Sequence, residues 1–446
     1  MWTHDSAETP AQLSPQQTMR VDYAALVALV LGVALWATSF LGYDPTNIPQ
    51  AQDFEQFHLP SAIVFAQRPL LDALSDYPAA PFPLFYLLAG WLYRLTGSAF
   101  AIRLWATCLG VLVLLVVARM ARARFARSSS HTALLLAATL VSPYFRGQSA
   151  FANTDILALL FAFAALCVFG AEAPRLPSAR GLLALTLACL AVYTRQFYVF
   201  LPAYLLLRIA AERTAREWLV AASVCALLAV PIVALVFHWG GLTPPRFRAH
   251  SSGPSLSSSI PAVLVMMSFY AVPWAALTLR HHRRALLADL RRPALLAASA
   301  ALLILSGYLF LARDAGAGVI GGGIPLHLIG ALPLGAAGRS AVLAGALWLG
   351  GTYLCYLVQQ RPAQNSILVL IALSFFPTHI LFQRYFDPLV PLASAFLLST
   401  RESARPWTRS LLLWVVALEL VVAAVGIVHY RRVFAAKGHE PTSATP

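Results

Sequence analysis

The sequence has little charge and no paired cysteines, and both shortages exclude common classes of protein. Of its 446 residues, 11% are charged and 59% are hydrophobic, whereas soluble domains carry about 25% charged residues. The five cysteines fall inside apolar stretches without CxxC spacing, which argues against a disulfide framework or a cysteine metal site. A phosphate loop ending in GK[ST], a GxSxG elbow and an HExxH helix are also missing, so the enzyme classes that these motifs mark are not indicated.

Long apolar runs are what the chain has instead. Stretches of about 20 apolar residues, the length that crosses the hydrocarbon layer, recur from Tyr23 to Val428. Backbone groups in lipid must be hydrogen-bonded within their own segment, and these runs do not alternate as barrel strands do. The sequence therefore predicts an all-α, polytopic membrane helix bundle of about 12 to 14 spans. We expect this domain to cover residues 23–437, between disordered tails at 1–22 and 438–446.

The positions of the arginines predict the orientation of the bundle. A net charge of +14 would suggest nucleic acid as the partner of a soluble protein, but these arginines lie in short connectors, so we expect no nucleic-acid partner. By the positive-inside rule, the connectors with Arg119–Arg127, Arg208–Arg216 and Arg280–Arg292 face the cytoplasm. Segment 44–99 starts with an excess of acids. It should form a long outer loop with amphipathic helices on the membrane surface.

Connectors alternate between the two sides of the membrane, because each span carries the chain across it. This alternation places three short connectors on the same side as the outer loop: Arg146–Asp155, Thr194–Phe197 and His238–Ser259. Arg195 would cost about 2.5–3.5 kcal/mol at a helix centre, and an outer break between two spans removes most of this cost. An arginine there could grip a phosphate with two parallel hydrogen bonds. The alternative is an arginine that snorkels at a helix end.

Several other outer residues are candidates for chemistry. Asp53, Glu55 and His58 stand among apolar anchors, where a carboxylate could take a proton from a sugar hydroxyl, a role worth roughly 10²–10⁴ in rate. The alternative is a solvated loop whose acids only satisfy the orientation rule. The His238–Ser259 connector, with its arginines and His250, could bind phosphate or sugar hydroxyls, or be a flexible loop. Arg384 and Tyr385 stand between two late apolar runs.

This arrangement resembles the GT-C superfamily of membrane glycosyltransferases, which use polyprenyl-phosphate sugars as donors. Within it, the local strings are most similar to the dolichyl-phosphate-glucose-dependent α-1,2-glucosyltransferases. That family has Asp-Glu-x-Phe-His-x-Pro in its outer loop, and Glu55 to Pro60 match all but the first position, where Phe54 stands and Asp53 comes one residue earlier. Further strings resemble family strings: Asp76 with Pro83 and Tyr86, Asn153-Thr154-Asp155, Arg195-Gln196, Arg384-Tyr385 and, loosely, His250.

The resemblance implies transfer of a single sugar, a hexose such as glucose, from a polyprenyl-phosphate donor to a lipid-linked or cell-envelope glycan acceptor at the outer face. Asp53 or Glu55 would be the general base, and arginines would hold the donor phosphate in place of a metal ion, so neither a metal nor a cofactor is expected. The candidate substrate-binding residues are His58, Asp76, Asp155, Arg195, Gln196, Arg246, His250, Arg384 and Tyr385.

Two other functions fit a polytopic membrane protein. A flippase or transporter of lipid-linked sugars would need a polar path through the bundle, yet the ionisable residues cluster in the outer connectors. A non-catalytic scaffold would tolerate loss of the outer acids. The composition, rich in Arg, Ala and Leu and poor in Lys, is typical of a GC-rich bacterial genome. It favours the inner membrane, with the site facing the periplasm.

Overall fold

The computed structural model describes residues 22–41, 49–125, 128–248, 256–312, 329, 333–376, 383–397 and 408–437, and within these ranges it contains helices and no β-strand. The first ten helices are α1 (Tyr23–Leu41), α2 (Pro49–Asp53), α3 (Leu59–Gln67), α4 (Leu70–Asp76), α5 (Leu84–Thr96), α6 (Ala99–Arg124), α7 (Ser129–Val141), α8 (Pro143–Ala150), α9 (Thr154–Phe169) and α10 (Ala179–Thr194). The later ones are α11 (Phe200–Glu212), α12 (Ala215–Trp239), α13 (Pro245–Arg248), α14 (Leu256–Leu290), α15 (Pro293–Ala312), α16 (Ala336–Gln360), α17 (Pro362–Phe375), α18 (Leu389–Leu397) and α19 (Thr408–Lys437).

Several of these helices can span a membrane by their length and composition, and the expected all-α, multi-pass architecture is confirmed. Among the described residues, five pass this test: α1, α6, α12, the Ala262–Arg280 part of α14, and α16. A sixth span results if α8 and α9, which are bent by 111°, count as one. Four further apolar helices have 10–17 residues, and residues 313–328 lie outside the described ranges. The total of 12 to 14 spans therefore stays a prediction.

The outer loop contains the expected helices. After α2, the chain makes one π-helical turn, Phe54–His58, before α3 begins. α5 is amphipathic, because Phe85 and Tyr86 are fully buried whereas Trp91 is 64% exposed. It packs closely on α3 through Gly90, where an added Cβ would lie 2.8 Å from the Ala62 carbonyl oxygen. This close packing holds the loop helices together as one unit.

The expected connector Arg146–Asp155 is wrong, because most of it is helix. Ser142 ends α7 and caps α8, and its hydroxyl accepts a hydrogen bond from the Phe145 backbone N–H. Arg146 is buried, and its Nη1 donates to the Leu35 carbonyl oxygen at 3.2 Å and to the Ser39 hydroxyl at 3.1 Å. The true break between α8 and α9 is a sharp turn in which Ala152 adopts a φ of 51°, a region that non-glycine residues rarely enter.

Helix α9 lies in the interior of the bundle. Most of its residues are buried, on every side of the helix, as expected of a helix that is apolar all round. It packs between α6 and α10, whereas only 6% of the apolar stretch of α12 is buried. The polar residues in the first turn of α9 therefore lie inside the protein, at the candidate site.

Candidate functional site

Four charged side chains from separate parts of the chain meet near the start of α9. Arg195, just after α10, donates from Nε to Asp155 Oδ1 at 2.5 Å and from Nη2 to Asp155 Oδ2 at 3.1 Å. Arg384 lies in the 3₁₀ turn Gln383–Tyr385, and its Nη1 donates to the carboxylate of Asp53, the last residue of α2. Arg384 Nε also lies 3.9 Å from Asp155 Oδ2. These four residues form what we call the charge network.

The charge network is largely shielded from solvent. The exposed fraction of the side chain is 5% for Asp155 and Arg195, 13% for Arg384 and 27% for Asp53. Burial lowers the pKa of Arg195, but the Asp155 carboxylate, together with Tyr385 and Tyr86, outweighs this effect, and the pKa is raised. Burial likewise opposes the charge of Arg384, yet Asp53 raises the pKa of this guanidinium. Burial of charged groups costs several kcal/mol per ion, and pairing two arginines with two aspartates offsets this cost.

Aromatic rings form one wall of the network. The guanidinium carbon of Arg195 lies 4.7 Å from the centroid of the Tyr385 ring, within the range of cation–π attraction. Tyr385 stacks on Phe375 at the end of α17, with centroids 5.8 Å apart and planes 5° apart, and it also contacts Phe197. The planar contacts restrict the Arg195 side chain to one orientation. A guanidinium that is held in place in this way binds an anion better than a mobile surface arginine does.

His58 lies beside the network on the π-helical turn. Its Nδ1 is 2.8 Å from the Tyr86 hydroxyl, and the two rings are stacked. On this turn Phe54 and His58 are buried, whereas Glu55 is exposed. Burial lowers the pKa of His58 to about 3, and Arg384 and Arg195 lower it further against the opposing effect of Asp53. His58 is therefore a neutral imidazole at neutral pH.

Local hydrogen bonds hold the segments that carry these residues. The Asn153 side chain caps α9 by accepting from the Asp155 backbone N–H at 3.1 Å. The start of a helix also favours a negative charge, which suits the Asp155 carboxylate. Gln148 of α8 donates from Nε2 to the Arg384 carbonyl oxygen at 3.0 Å, and Gln196 donates to the Ala80 carbonyl oxygen at 3.2 Å. Gln196 thereby ties the proline-rich end of the outer loop to the network.

The structure separates other candidates from this site. Asp76 forms ion pairs with Arg68 and with Arg246, whose Nη1 lies 3.4 Å from Asp76 Oδ1. The side chains of these three residues, which we call the outer cluster, are 39–49% exposed. They pair with one another and not with the charge network. Glu55 is exposed as well, and His250 lies outside the described residues.

Sequence reasoning missed the partners that orient the predicted residues. Tyr86 belongs to a quoted motif string, but nothing local indicates that it contacts His58, 28 residues away in the chain. Gln148 falls inside the stretch expected to be a connector, and it became recognisable only through the helix that holds it. Its polar character next to Arg146 was the only available signal.

No family model and no curated protein match the chain. Among solved structures, ArnT from Cupriavidus metallidurans bound to undecaprenyl phosphate covers 93% of this chain and 74% of its own, with a TM-score of 0.40 and 17% identity. The apo state of ArnT covers 93% of this chain and 73% of its own, with a TM-score of 0.39 and 16% identity. These values do not assign the chain to a family.

The described ranges contain no group of three or more His, Cys, Asp or Glu side chains that could hold a metal ion. The expectation that the protein needs neither a metal nor a cofactor stays a prediction.

Proposed function

We propose that this protein is a membrane glycosyltransferase of the GT-C type. It transfers a single hexose, with glucose as the first candidate, from a polyprenyl-phosphate sugar to a lipid-linked or cell-envelope glycan acceptor. The observation that carries the proposal is the charge network, in which a partly exposed carboxylate, Asp53, pairs with Arg384 next to the fixed pair of Arg195 and Asp155. Such a set supplies both a proton acceptor and cationic groups for a phosphate.

Arg384 is the proposed contact for the donor phosphate. Its partner Asp53 is the most exposed member of the network, so an incoming phosphate can take the place of this carboxylate on the guanidinium. Arginine binds phosphate and carboxylate oxygens with the same planar donor geometry. Arg195 has two hydrogen bonds to Asp155 and adds a fixed positive charge nearby. Both cations favour the negative charge that develops on the departing phosphate.

Asp53 is the proposed general base, in preference to Glu55. Once released from Arg384, its carboxylate takes the proton of the acceptor hydroxyl. The hydroxyl oxygen forms a bond to the anomeric carbon as the bond from that carbon to the phosphate oxygen breaks, and polyprenyl phosphate leaves with the electron pair. Glu55 is exposed, whereas Asp53 is paired with Arg384, the proposed donor contact. The hydrogen bond between His58 and Tyr86 links the π turn to α5.

The proposed location follows from the charges of the connectors. Arginine-rich connectors on the cytoplasmic side leave the outer loop on the opposite side, which in a bacterial inner membrane is the periplasm. Polyprenyl-phosphate sugars, lipid-linked or envelope glycans and membrane lipid are the proposed partners.

A transfer assay with purified protein tests the proposal. The protein in detergent is incubated with a panel of polyprenyl-phosphate sugars labelled in the sugar, together with an extract of lipid-linked glycans. We expect label to move to a new glycan, and polyprenyl phosphate to be released in equal amount. A flippase has no membrane to cross in detergent and gives no product. Absence of transfer and of donor hydrolysis with every donor would contradict the proposed function.

A further inference from the structure

A pair of buried carboxyl groups lies next to the segment that carries Arg384. Asp387 follows the 3₁₀ turn, and Glu419 comes from the middle of α19; their exposed fractions are 0% and 1%. The Ser142 hydroxyl donates to Asp387 Oδ1 at 2.6 Å. The carboxyl groups of Asp387 and Glu419 contact each other. Neither residue belongs to the charge network, and the proposed mechanism uses neither.

The facing oxygens of this pair lack a donor. Asp387 Oδ2 and both carboxyl oxygens of Glu419 are buried without a hydrogen-bond donor among the described residues. Two ionised carboxylates in contact repel each other strongly in an interior of low dielectric constant. Buried acceptor oxygens without a hydrogen-bond donor also destabilise the folded protein. A single proton between the two carboxyl groups removes both problems, because one group then donates to the other.

The surroundings indicate which member holds the proton. The charged and titratable groups that face the pair are Arg146 and Tyr144 of α8 and Tyr270 of α14. Arg146 is close enough for its charge to act on Asp387, and the Ser142 hydroxyl hydrogen-bonds to the same carboxyl group. Helix α7, which also packs on α19, has one titratable side chain, His131, in its first turn at the other end of the helix.

These contacts favour the ionised form of Asp387 and the protonated form of Glu419. The positive charge of Arg146 balances one carboxylate and no more. A metal ion in place of the proton is disfavoured, because Arg146 would repel it and because the described residues offer no third carboxylate, histidine or cysteine to complete its coordination.

The same segment is held by other helices. Gln383 donates from Nε2 to the Tyr270 hydroxyl at 2.8 Å, and its Oε1 accepts from Tyr144 at 3.3 Å. Gln148 holds the Arg384 carbonyl oxygen, and the Phe386 ring is fully buried against Phe375. α8, α14 and α17 thus fix one side of the segment. The contact between Asp387 and Glu419 ties it to α19.

We propose that Glu419 is a positioning residue, whose protonated carboxyl group donates to Asp387 and fixes the segment that presents Arg384 and Tyr385 to the site. The effect on activity rests on the proposed function, but the protonation state does not. A short turn that carries a phosphate-binding arginine needs fixed ends, and displacement of about 1 Å can cost as much as about a hundredfold in rate.

Infrared spectroscopy tests the protonation directly. We expect the wild type in detergent to show the carbonyl band of a protonated carboxyl group at neutral pH, where exposed acids are ionised, and Glu419→Gln to lack this band. Asp72→Asn removes an exposed carboxyl group and should leave the band unchanged. A wild type without the band, or a Glu419→Gln variant that keeps it, would overturn the proposal.

Activity then separates a positioning role from general packing. In Glu419→Gln the amide can donate to Asp387 without a titratable proton. We expect this variant to keep transfer activity within about twofold at neutral pH. If the activity of the wild type falls at alkaline pH because Glu419 loses its proton, the activity of Glu419→Gln should not fall there. Glu419→Ala should raise the donor KM or lower kcat by about tenfold or more. Equal losses in both variants would contradict the proposal. If the wild type transfers no sugar, the proposed function fails, while the infrared result still decides the state of Glu419.

Discussion

The charge network and the outer cluster contain the same kinds of residue in very different surroundings. Each joins an aspartate of the outer loop to an arginine from a distant segment, and all of their members except Arg68 were predicted from sequence as site residues. The side chains of the charge network are 5–27% exposed, whereas those of the outer cluster are 39–49% exposed. Aromatic rings border the first, and solvent reaches the second.

This difference decides what each cluster can do. An exposed ion pair contributes about 0–1 kcal/mol, because water and salt screen it. Removing one partner of a buried pair costs about 3–5 kcal/mol, because the remaining charge stays desolvated. Strong electrostatic effects on a phosphate or a hydroxyl therefore require the charge network. The outer cluster links α4 to α13, because Arg246 donates to both the carboxylate and the backbone carbonyl oxygen of Asp76.

The largest expected effect is at the proposed base. Asp53→Asn keeps the shape of the side chain and its contact with Arg384 but removes the proton acceptor, so kcat should fall by about 10²–10⁴. Glu55→Gln is the matched control on the exposed side of the π turn and should retain most activity. Initial rates at saturating donor and acceptor measure both. Full turnover of both variants would show that neither acid is the base.

The phosphate contact gives the next largest effect. Arg384→Lys keeps the charge but loses the planar set of donors, and we expect kcat/KM for the donor to fall by about 10²–10³. Arg246→Lys makes the same change in the outer cluster and should stay within about twofold of the wild type. Steady-state kinetics with varied donor compare the two. An equal loss in Arg246→Lys would remove the functional distinction between the clusters.

Sequence and structure agree where a single physical rule fixes the outcome. Apolar runs must match the bilayer thickness, so the first run, which begins at Tyr23, was predicted to be a span, and the helix Tyr23–Leu41 is long and apolar enough to be one. The cost of an arginine in lipid likewise predicted that Arg195 lies at a helix break. Both rules depend on local composition alone.

The pairing of charges was not predictable in the same way. Arg384 binds an aspartate 331 residues earlier in the chain, and no local rule chooses Asp53 over Asp76 as its partner. The π turn Phe54–His58 was not predicted, and α8 escaped prediction because its sequence is too polar to resemble a span. Glu419 interrupts an apolar run visibly, but its partner Asp387 is known only from the fold.

Stability should respond to the fixed pair of the network. Asp155→Asn leaves the Arg195 guanidinium buried without its carboxylate, and we expect a loss of about 3–5 kcal/mol in unfolding free energy. Denaturant titration in mixed micelles, followed by tryptophan fluorescence, measures the change. Asp22→Asn breaks the ion pair with the half-exposed Arg409 and should cost about 0–1 kcal/mol. Similar losses in the two variants would contradict the role of burial.

The pH dependence of stability should reveal the buried His58. Its pKa is about 3 in the folded protein against the ordinary 6.5, so above pH 6.5 it is neutral in both states and has no effect. Below that pH, His58 binds a proton in the unfolded chain but stays neutral in the folded protein, so the free energy of unfolding falls. By pH 5 this loss should reach about 2 kcal/mol. His58→Gln should show a shallower decline between pH 7 and pH 5 in thermal unfolding. Parallel curves would mean that His58 titrates normally.

The smallest effect is expected in the outer cluster, where it bears most directly on the comparison. Asp76→Asn removes the carboxylate charge shared by Arg68 and Arg246, but all three side chains are well exposed and water can solvate the released arginines. We expect a stability change of about 0–1 kcal/mol that disappears at high salt, and a transfer rate within about twofold of the wild type. Thermal unfolding at low and high salt, with donor kinetics on the same preparations, measures both. A donor KM raised by tenfold or more with unchanged stability would place the outer cluster in the binding site, and exposure would then no longer separate the two clusters.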